Sequence, residues 1–344
     1  MAPTFKALVV TAKKQTTPLT LADYEEPSLS EGELLLENVA AAQNPVDAKQ
    51  VDFDFGISSL PWVLGADVAG RVYKTGPGVT KFTVGDRVTS FLERKTPRHS
   101  GYQTFSIAAE KRTVKLPENY SFESGSTLPA GFVTAAATLA DAFGISIPSA
   151  SSPTVPSFDG EPFLVWGGSG SVGAYVIQLA HLFGFDVIAT ASPANHEYVK
   201  SLGAKHVFDH RDPDVVSKIR EVAGPDLSKV YDAVSEGGTV EASVKSITSS
   251  EGKVAIILPL PSPDPSTASV KVIATGTSKA TEIPALGEAV YWYLEELLSR
   301  GILIPNKFKI IPGGLSGVNE GLSLQRRHKI SGEKLVYRIA DSEF

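Results

Sequence analysis

Short apolar runs mark the first 125 residues: KALVV (6–10), ELLLENVAA (33–41), GRVYK (70–74) and TVKLP (113–117), with Gly, Pro, Asp and Asn between them. That spacing predicts strands, with a turn at Val84-Gly85-Asp86 inside GVTKFTVGDRV (78–88). A small barrel or sandwich is the expected architecture. After Leu128 the period changes. PAGFVTAAATLADAFG (129–144) places Phe132, Ala136, Leu139 and Phe143 close to one face of a helix. ISIPSASSPTVPSFDGEP (145–162), dense in Pro and Ser, reads as a surface loop.

From residue 163 the pattern alternates. FLVW, DVIATAS, HVFDH, KVYDAVS and KVAIILPL read as strands, with helices expected at 171–184, 194–202, 213–222 and 239–248. Such alternation predicts a parallel sheet with right-handed crossovers. A helix at 283–301, a polar helix and a strand KLVYRI (334–339) complete the chain. The expected division is a β domain over 1–128, an α/β domain over 129–278, and a segment 279–344 that returns to the first.

Composition narrows the function classes. The chain has 344 residues, 42% of them apolar, which suits a globular fold with a large core. Its net charge of -6 argues against nucleic-acid binding, which wants a concentrated basic face. There are no cysteines, so disulfides, thiolate metal sites and a cysteine nucleophile are excluded together. The N-terminal MAPTFKALVVTAKKQ lacks the apolar core of a signal peptide. No stretch approaches the roughly 20 apolar residues that cross a bilayer. A cytoplasmic location without membrane attachment is expected.

Candidate chemistry begins in VWGGSGSVG (165–173). Gly168, Gly170 and Gly173 have GxGxxG spacing, directly after a predicted strand and directly before a predicted helix. The first glycines allow a tight turn and close approach to a pyrophosphate, and Gly173 allows close helix–strand contact. Gly168, Ser169, Gly170, Ser171, Val172 and Gly173 would present backbone N–H groups at the positive end of a helix dipole. A structural turn is the alternative.

An NAD site usually carries Asp or Glu at the tip of the second strand, on the ribose 2′-OH. Here that strand ends Thr190-Ala191-Ser192, and Asp186 lies at its other end. Ser192, Asn195 and His210-Arg211 offer donors instead, so NADPH is the expected cofactor. The plainer reading makes Ser192 and Asn195 helix caps and leaves His210 and Arg211 in solvent. Ser235, ending YDAVS, is expected near the cofactor because ligands sit at strand carboxyl ends.

NPVDAKQ (44–50), LGADVAGRV (64–72), GVTKFTVGDRV, GYQTFSI (101–107) and GFVTAAATL (131–139), followed by VWGGSGSVG and YDAVS, resemble the medium-chain dehydrogenase/reductase superfamily over nearly the whole chain. The resemblance implies a GroES-like β-barrel domain that cradles the substrate and a Rossmann domain with a doubly wound parallel sheet. Zinc-dependent members carry a cysteine near the first motif and Gly-His-Glu in the second. This chain has Asn44 and Gly65-Ala66-Asp67 there, and its histidines are scattered at 99, 181, 196, 206, 210 and 328. The chain is similar to the zinc-free branch, and within it to fungal trans-acting enoyl reductases and quinone-reductase-like proteins.

The same resemblance implies roles for individual residues. Asn44 would contact the nicotinamide ribose or the substrate. Lys49, on the same segment, would stabilise an enolate oxygen; its plainer reading is a solvated lysine. Thr134 matches a threonine facing the nicotinamide, or else is a helix hydroxyl bonded to its own backbone. Asp47 is expected to be structural, fixing the local turn, with orientation of Lys49 as the alternative. Enoyl reductases that use a tyrosine as proton donor place it before the LGADVAG segment, but QVDFDFGISSLPW (50–62) has none. Phe53, Phe55 and Trp62 are expected in the core, with a wall against an acyl or aromatic substrate as the alternative. The basic run Gln325–Lys329 is either a solvated face or a dock for a carrier protein. The expected activity is NADPH-dependent reduction of an activated C=C bond in a small-molecule or carrier-bound acyl substrate, with a polyketide synthase as partner. Quinone reduction and NADPH binding without turnover are the alternatives, and the protein would be a monomer or homodimer.

Overall fold

The computed structural model of the chain describes residues 5–343. Contacts divide it into two compact units. One runs to Ala130 and resumes at Glu295, and the other is Gly131–Leu294. The sequence pattern places the divisions after 128 and 278. The second division falls later because most of the helix expected at 283–301 packs with the α/β unit.

In chain order the first unit holds strands β1 (Lys6–Val10), β2 (Thr20–Asp23), β3 (Glu33–Ala42), β4 (Trp62–Val63), β5 (Asp67–Thr75), β6 (Arg87–Phe91), β7 (Phe105–Ala109) and β8 (Thr113–Lys115). Helices α1 (Pro45–Phe53) and α2 (Phe122–Ser126) lie among them. Helix α3 (Pro129–Phe143) carries the chain into the second unit. There the strands are β9 (Pro162–Trp166), β10 (Asp186–Thr190), β11 (His206–Phe208), β12 (Lys229–Asp232), β13 (Gly252–Ile256) and β14 (Val270–Ala274). Their helices are α4 (Ser171–Leu182), α5 (His196–Ser201), α6 (Val215–Ala223), α7 (Thr239–Ser246), α8 (Lys279–Glu282) and α9 (Pro284–Ser299). The returning segment adds β15 (Phe308–Ile310), α10 (Val318–Arg326) and β16 (Lys334–Arg338).

The second unit's sheet has the order β11-β10-β9-β12-β13-β14, all parallel. The order reverses between β9 and β12, where an open α/β sheet forms its ligand crevice. The apolar runs at 163–166, 187–189 and 254–256 are buried because helices cover both faces. In the first unit β16, β3, β5, β6 and β8 form an antiparallel path, with β7 also on β3 and β15 parallel to β16. A smaller sheet, β2-β1-β4, shares the same apolar core, and α10 packs Val318 and Leu322 into it. The barrel-like β domain and the doubly wound sheet expected from the sequence are both present.

Two departures bear on function. Helix α1 has no counterpart in the apolar pattern, because it buries the polar Asp47 and Gln50 while Phe53 is 70% exposed. Phe55, just beyond it, is 63% exposed. The expectation that these two phenylalanines belong to the core is therefore corrected. Trp62, in β4, is core as expected.

Candidate active site

The glycine segment lies at the carboxyl end of β9. Gly167 takes φ +79°, and its N–H donates to the Thr190 hydroxyl (3.0 Å), while the Gly168 N–H donates to the Thr190 carbonyl (2.8 Å). The turn is thus pinned to the tip of β10. A Cβ on Gly168 would come within 2.8 Å of Ile177 Cδ1, and one on Gly173 would collide with the Gly167 carbonyl. These positions need glycine because helix α4 starts against the turn itself. Gly170 is the N-cap and has no side chain with which to cap the first turn of α4. A glycine turn that opens onto a helix N-terminus is the arrangement that can hold a diphosphate. Ser169, Ser171 and Val172 lie on the same turn.

The tip of β10 continues into Ser192, alongside the end of β11, where Ala191 N–H donates to the Phe208 carbonyl (3.0 Å). Neither Ser192 nor Asn195 caps the helical turn that follows it. His210 Nδ1 lies 3.7 Å from Asp209 Oδ1, and its side chain is 42% exposed. Arg211 binds both Asp209 oxygens, at 3.0 and 3.1 Å, which holds that carboxyl below its ordinary range. Arg211 is therefore ion-paired rather than merely solvated.

Ser235 ends the β12 segment with φ +62°. Its hydroxyl donates to the Asp232 carbonyl (2.7 Å) and accepts from the Ile257 N–H (2.9 Å). The residue sits at the strand's carboxyl end, with its hydroxyl committed to the backbone. Sequence reasoning missed Asp232 beneath it. That buried carboxylate accepts from the N–H groups of Val234 and Ser235 and from the Thr239 hydroxyl (2.9, 2.8 and 2.6 Å). Thr134 is buried in α3, where its carbonyl accepts weakly from the Tyr231 hydroxyl (3.4 Å).

In the first unit a buried polar cluster surrounds the start of α1. Asn44 Nδ2 donates to Asp67 Oδ2 (2.9 Å). The ammonium of Lys334, on β16, donates to the same Asp67 oxygen (2.6 Å) and to Asn44 Oδ1 (3.1 Å). The other Asp67 oxygen accepts from the Ala130 N–H (2.9 Å). Asp47 Oδ2 accepts from the Asn44 N–H (2.8 Å) and the Tyr102 hydroxyl (2.7 Å). Burial raises the Asp47 carboxyl above its ordinary value and the Tyr102 hydroxyl well above its own, so Tyr102 stays a donor. Asp47 is structural, as expected. Lys334 has only protons to give and Asp67 only lone pairs, so the orientation of the Asn44 amide is fixed.

Lys49 is half-buried on α1 and makes no ion pair or hydrogen bond among the described residues. The basic run near the C-terminus is partly neutralised: Arg326 binds Asp52 through Nε and Nη2 (2.9 and 2.6 Å) and Arg327 binds Glu320 (3.0 Å), while Lys329 is exposed and pairs with no carboxylate among the described residues. Gln325 donates to the Pro45 carbonyl (2.8 Å). Nothing in the sequence flagged Lys334, whose partner Asp67 is 267 positions away.

Zinc does not fit the Asn44–Asp67 position. Zinc wants three or four lone-pair donors from Cys, His or carboxylate. Here an ammonium already bridges an amide and a single carboxylate, and among the described residues no three His, Cys, Asp or Glu side chains cluster to hold a metal.

Two family models match the chain: "Alcohol dehydrogenase GroES-like domain" over residues 30–119 and "Zinc-binding dehydrogenase" over residues 171–278. Trans-enoyl reductase himH of Aspergillus japonicus is 32% identical over 96% of both chains. Trans-enoyl reductase ACTTS2 of Alternaria alternata is 31% identical over 98% of this chain and 99% of its own. Among solved structures, the CurK enoyl reductase covers 96% of this chain and 98% of its own at TM-score 0.79 and 22% identity, a likeness of fold. A mycobacterial protein solved with NADPH covers 96% of this chain and 99% of its own at TM-score 0.75 and 24% identity. With both family models matched in order and full-length relatives of this identity, the chain belongs to the medium-chain dehydrogenase/reductase superfamily as an enoyl reductase-like oxidoreductase.

Proposed function

We propose that this protein uses NADPH to reduce the C=C bond of an α,β-unsaturated thioester or carbonyl, without zinc. The observation that carries the reading is the Asn44–Asp67–Lys334 triad, in which a protein ammonium fills the place a catalytic metal would need. The names of the trans-enoyl reductase relatives support the substrate class. Bound NADPH supplies hydride to the β-carbon. The chain's own task is to meet the negative charge that then grows on the carbonyl oxygen. Lys49, with no carboxylate partner among the described residues, is the cation for that oxygen. Asn44, locked by Asp67 and Lys334, orients the nicotinamide ribose or the substrate carbonyl. The segment 50–62 that leads into LGADVAG holds no tyrosine, so water delivers the α-proton in this proposal.

NADPH is preferred over NADH because β10 runs out through Thr190-Ala191-Ser192 without a carboxylate, the neighbouring Asp209 is held by Arg211, and Ser192 is left uncommitted by its helical turn. The acyl group would arrive on a carrier protein, with a polyketide synthase as partner. The test is purified protein with NADPH and an enoyl thioester. Turnover that falls at least tenfold in Lys49→Met, with NADPH affinity retained, supports the reading. NADPH oxidation by quinones alone, or turnover that Lys49→Met leaves unchanged, defeats it. Ser192→Asp should weaken NADPH more than NADH; equal effects would refute the cofactor assignment.

A further inference from the structure

Three lysines stand side by side at the amino ends of the second unit's strands. Lys229 of β12 pairs in register with Lys253 of β13, and Lys253 pairs with Lys271 of β14. Neighbours in register on parallel strands project from the same face, about 4.8 Å apart, so the row spans roughly 10 Å. Like charges placed directly opposite one another across strands repel. Some compensation is therefore expected, and the protein supplies it at one end only. Lys229 binds Glu161 (2.9 Å) and lies over the rings of Phe158 and Phe185. Lys253 and Lys271 are exposed and have no ion-pair partner among the described residues.

The row borders a cavity of about 410 Å³ that is also lined by Thr267, Ser269 and Glu251. The Thr267 oxygen accepts from the Val270 N–H (3.0 Å), which leaves its proton to donate. The Ser269 hydroxyl has no partner among the described residues. The cavity thus sets two unpaired ammonium groups, Lys253 and Lys271, and the hydroxyls of Ser228, Thr267 and Ser269 against one lining carboxylate, Glu251, which is unpaired among the described residues. The glycine turn follows the carboxyl end of β9, so this cavity is at the opposite end of the sheet from the dinucleotide crevice.

We propose that the amino ends of β12, β13 and β14 form a second anion site, one that takes the oligophosphate group of a small molecule. A row of point charges suits several linked phosphates better than one carboxylate, and the hydroxyls donate to phosphate oxygens between the ammonium groups. The cavity's size selects a small molecule rather than a polymer.

The test is titration of the full chain with tripolyphosphate in 0.15 M salt, where diffuse attraction to exposed lysines is largely screened. ATP, titrated separately, distinguishes a free phosphate chain from an organic ester. Saturable binding that persists with NADPH bound, and that weakens at least tenfold in the Lys253→Met/Lys271→Met double variant, is the expected result. Glu251→Gln should tighten it. No saturable binding, competition with NADPH, binding indifferent to the lysines, or weaker binding in Glu251→Gln would each overturn the proposal. Both lysines are exposed, so the double variant keeps its fold, and unchanged NADPH affinity verifies this.

Discussion

Replacing Lys334 by Met removes one cation from a site that is almost closed to water. The Lys334 side chain is 4% exposed and that of Asp67 is 0%. The variant strands the Asp67 carboxylate, which keeps donors only from Asn44 Nδ2 and the Ala130 N–H, each at 2.9 Å. Breaking a buried pair from one side costs about 3–5 kcal/mol, because the remaining charge is uncompensated. The two surviving donors place this case near the lower bound, about 3 kcal/mol. A domain of 150–250 residues loses about 2–4 °C of Tm per kcal/mol, so a fall of roughly 6–12 °C is expected. Thermal unfolding by circular dichroism at pH 7 measures it. Asp67→Asn in the same chain removes the stranded charge while keeping an acceptor, so the double variant should recover at least half of the loss. A fall of less than about 2 °C, or a double variant no better than Lys334→Met, would refute the claim that the ammonium compensates Asp67. Lys334→Met should also reduce turnover, because the Asn44 amide loses the partner that fixes its oxygen.

Gly173→Ala gains about 1 kcal/mol of helix propensity but sets a methyl against the Gly167 carbonyl, and overpacking of 1–3 kcal/mol decides the sign. A lower Tm and at least tenfold weaker NADPH binding by fluorescence titration are expected; unchanged binding would show that the turn is not the diphosphate bed. Asp47 tests the buried cluster through pH. Its folded-state carboxyl titrates above the ordinary value, so its favourable contribution is complete below about pH 4 and is lost as pH rises through the folded value. Asp47→Asn keeps an acceptor for the Asn44 N–H and the Tyr102 hydroxyl and cannot ionise. Its stability relative to the natural chain should therefore rise between pH 4 and pH 7, and a flat difference in Tm would remove Asp47 from the pH dependence.

The Rossmann half was legible because its signals are local. An apolar run of four or five residues, a turn and a helical stripe each fit inside one βα unit, and parallel burial keeps the runs continuous. Strand β14 escaped because VKVIA alternates exposed Lys271 with buried neighbours and comes after a loop rich in Pro and Ser. Helix α1 escaped for the opposite reason. Its buried side is partly polar, since Asp47 and Gln50 answer to groups brought in from elsewhere, while Phe53 faces water. Patterning arguments assume that burial follows hydrophobicity, and at α1 it follows hydrogen bonding. Asn44 was found by its motif, but what holds Asn44 was not, because Lys334 reads as an ordinary polar start to an edge-proximal strand. Only the pairing of β16 with β3 carries Lys334 to Asp67 and Asn44. The residues that define this site are thus joined by sheet topology rather than by spacing. A chain that lost the C-terminal strand would keep its NPVDAKQ and LGADVAG segments and still lose the cation that joins Asn44 to Asp67.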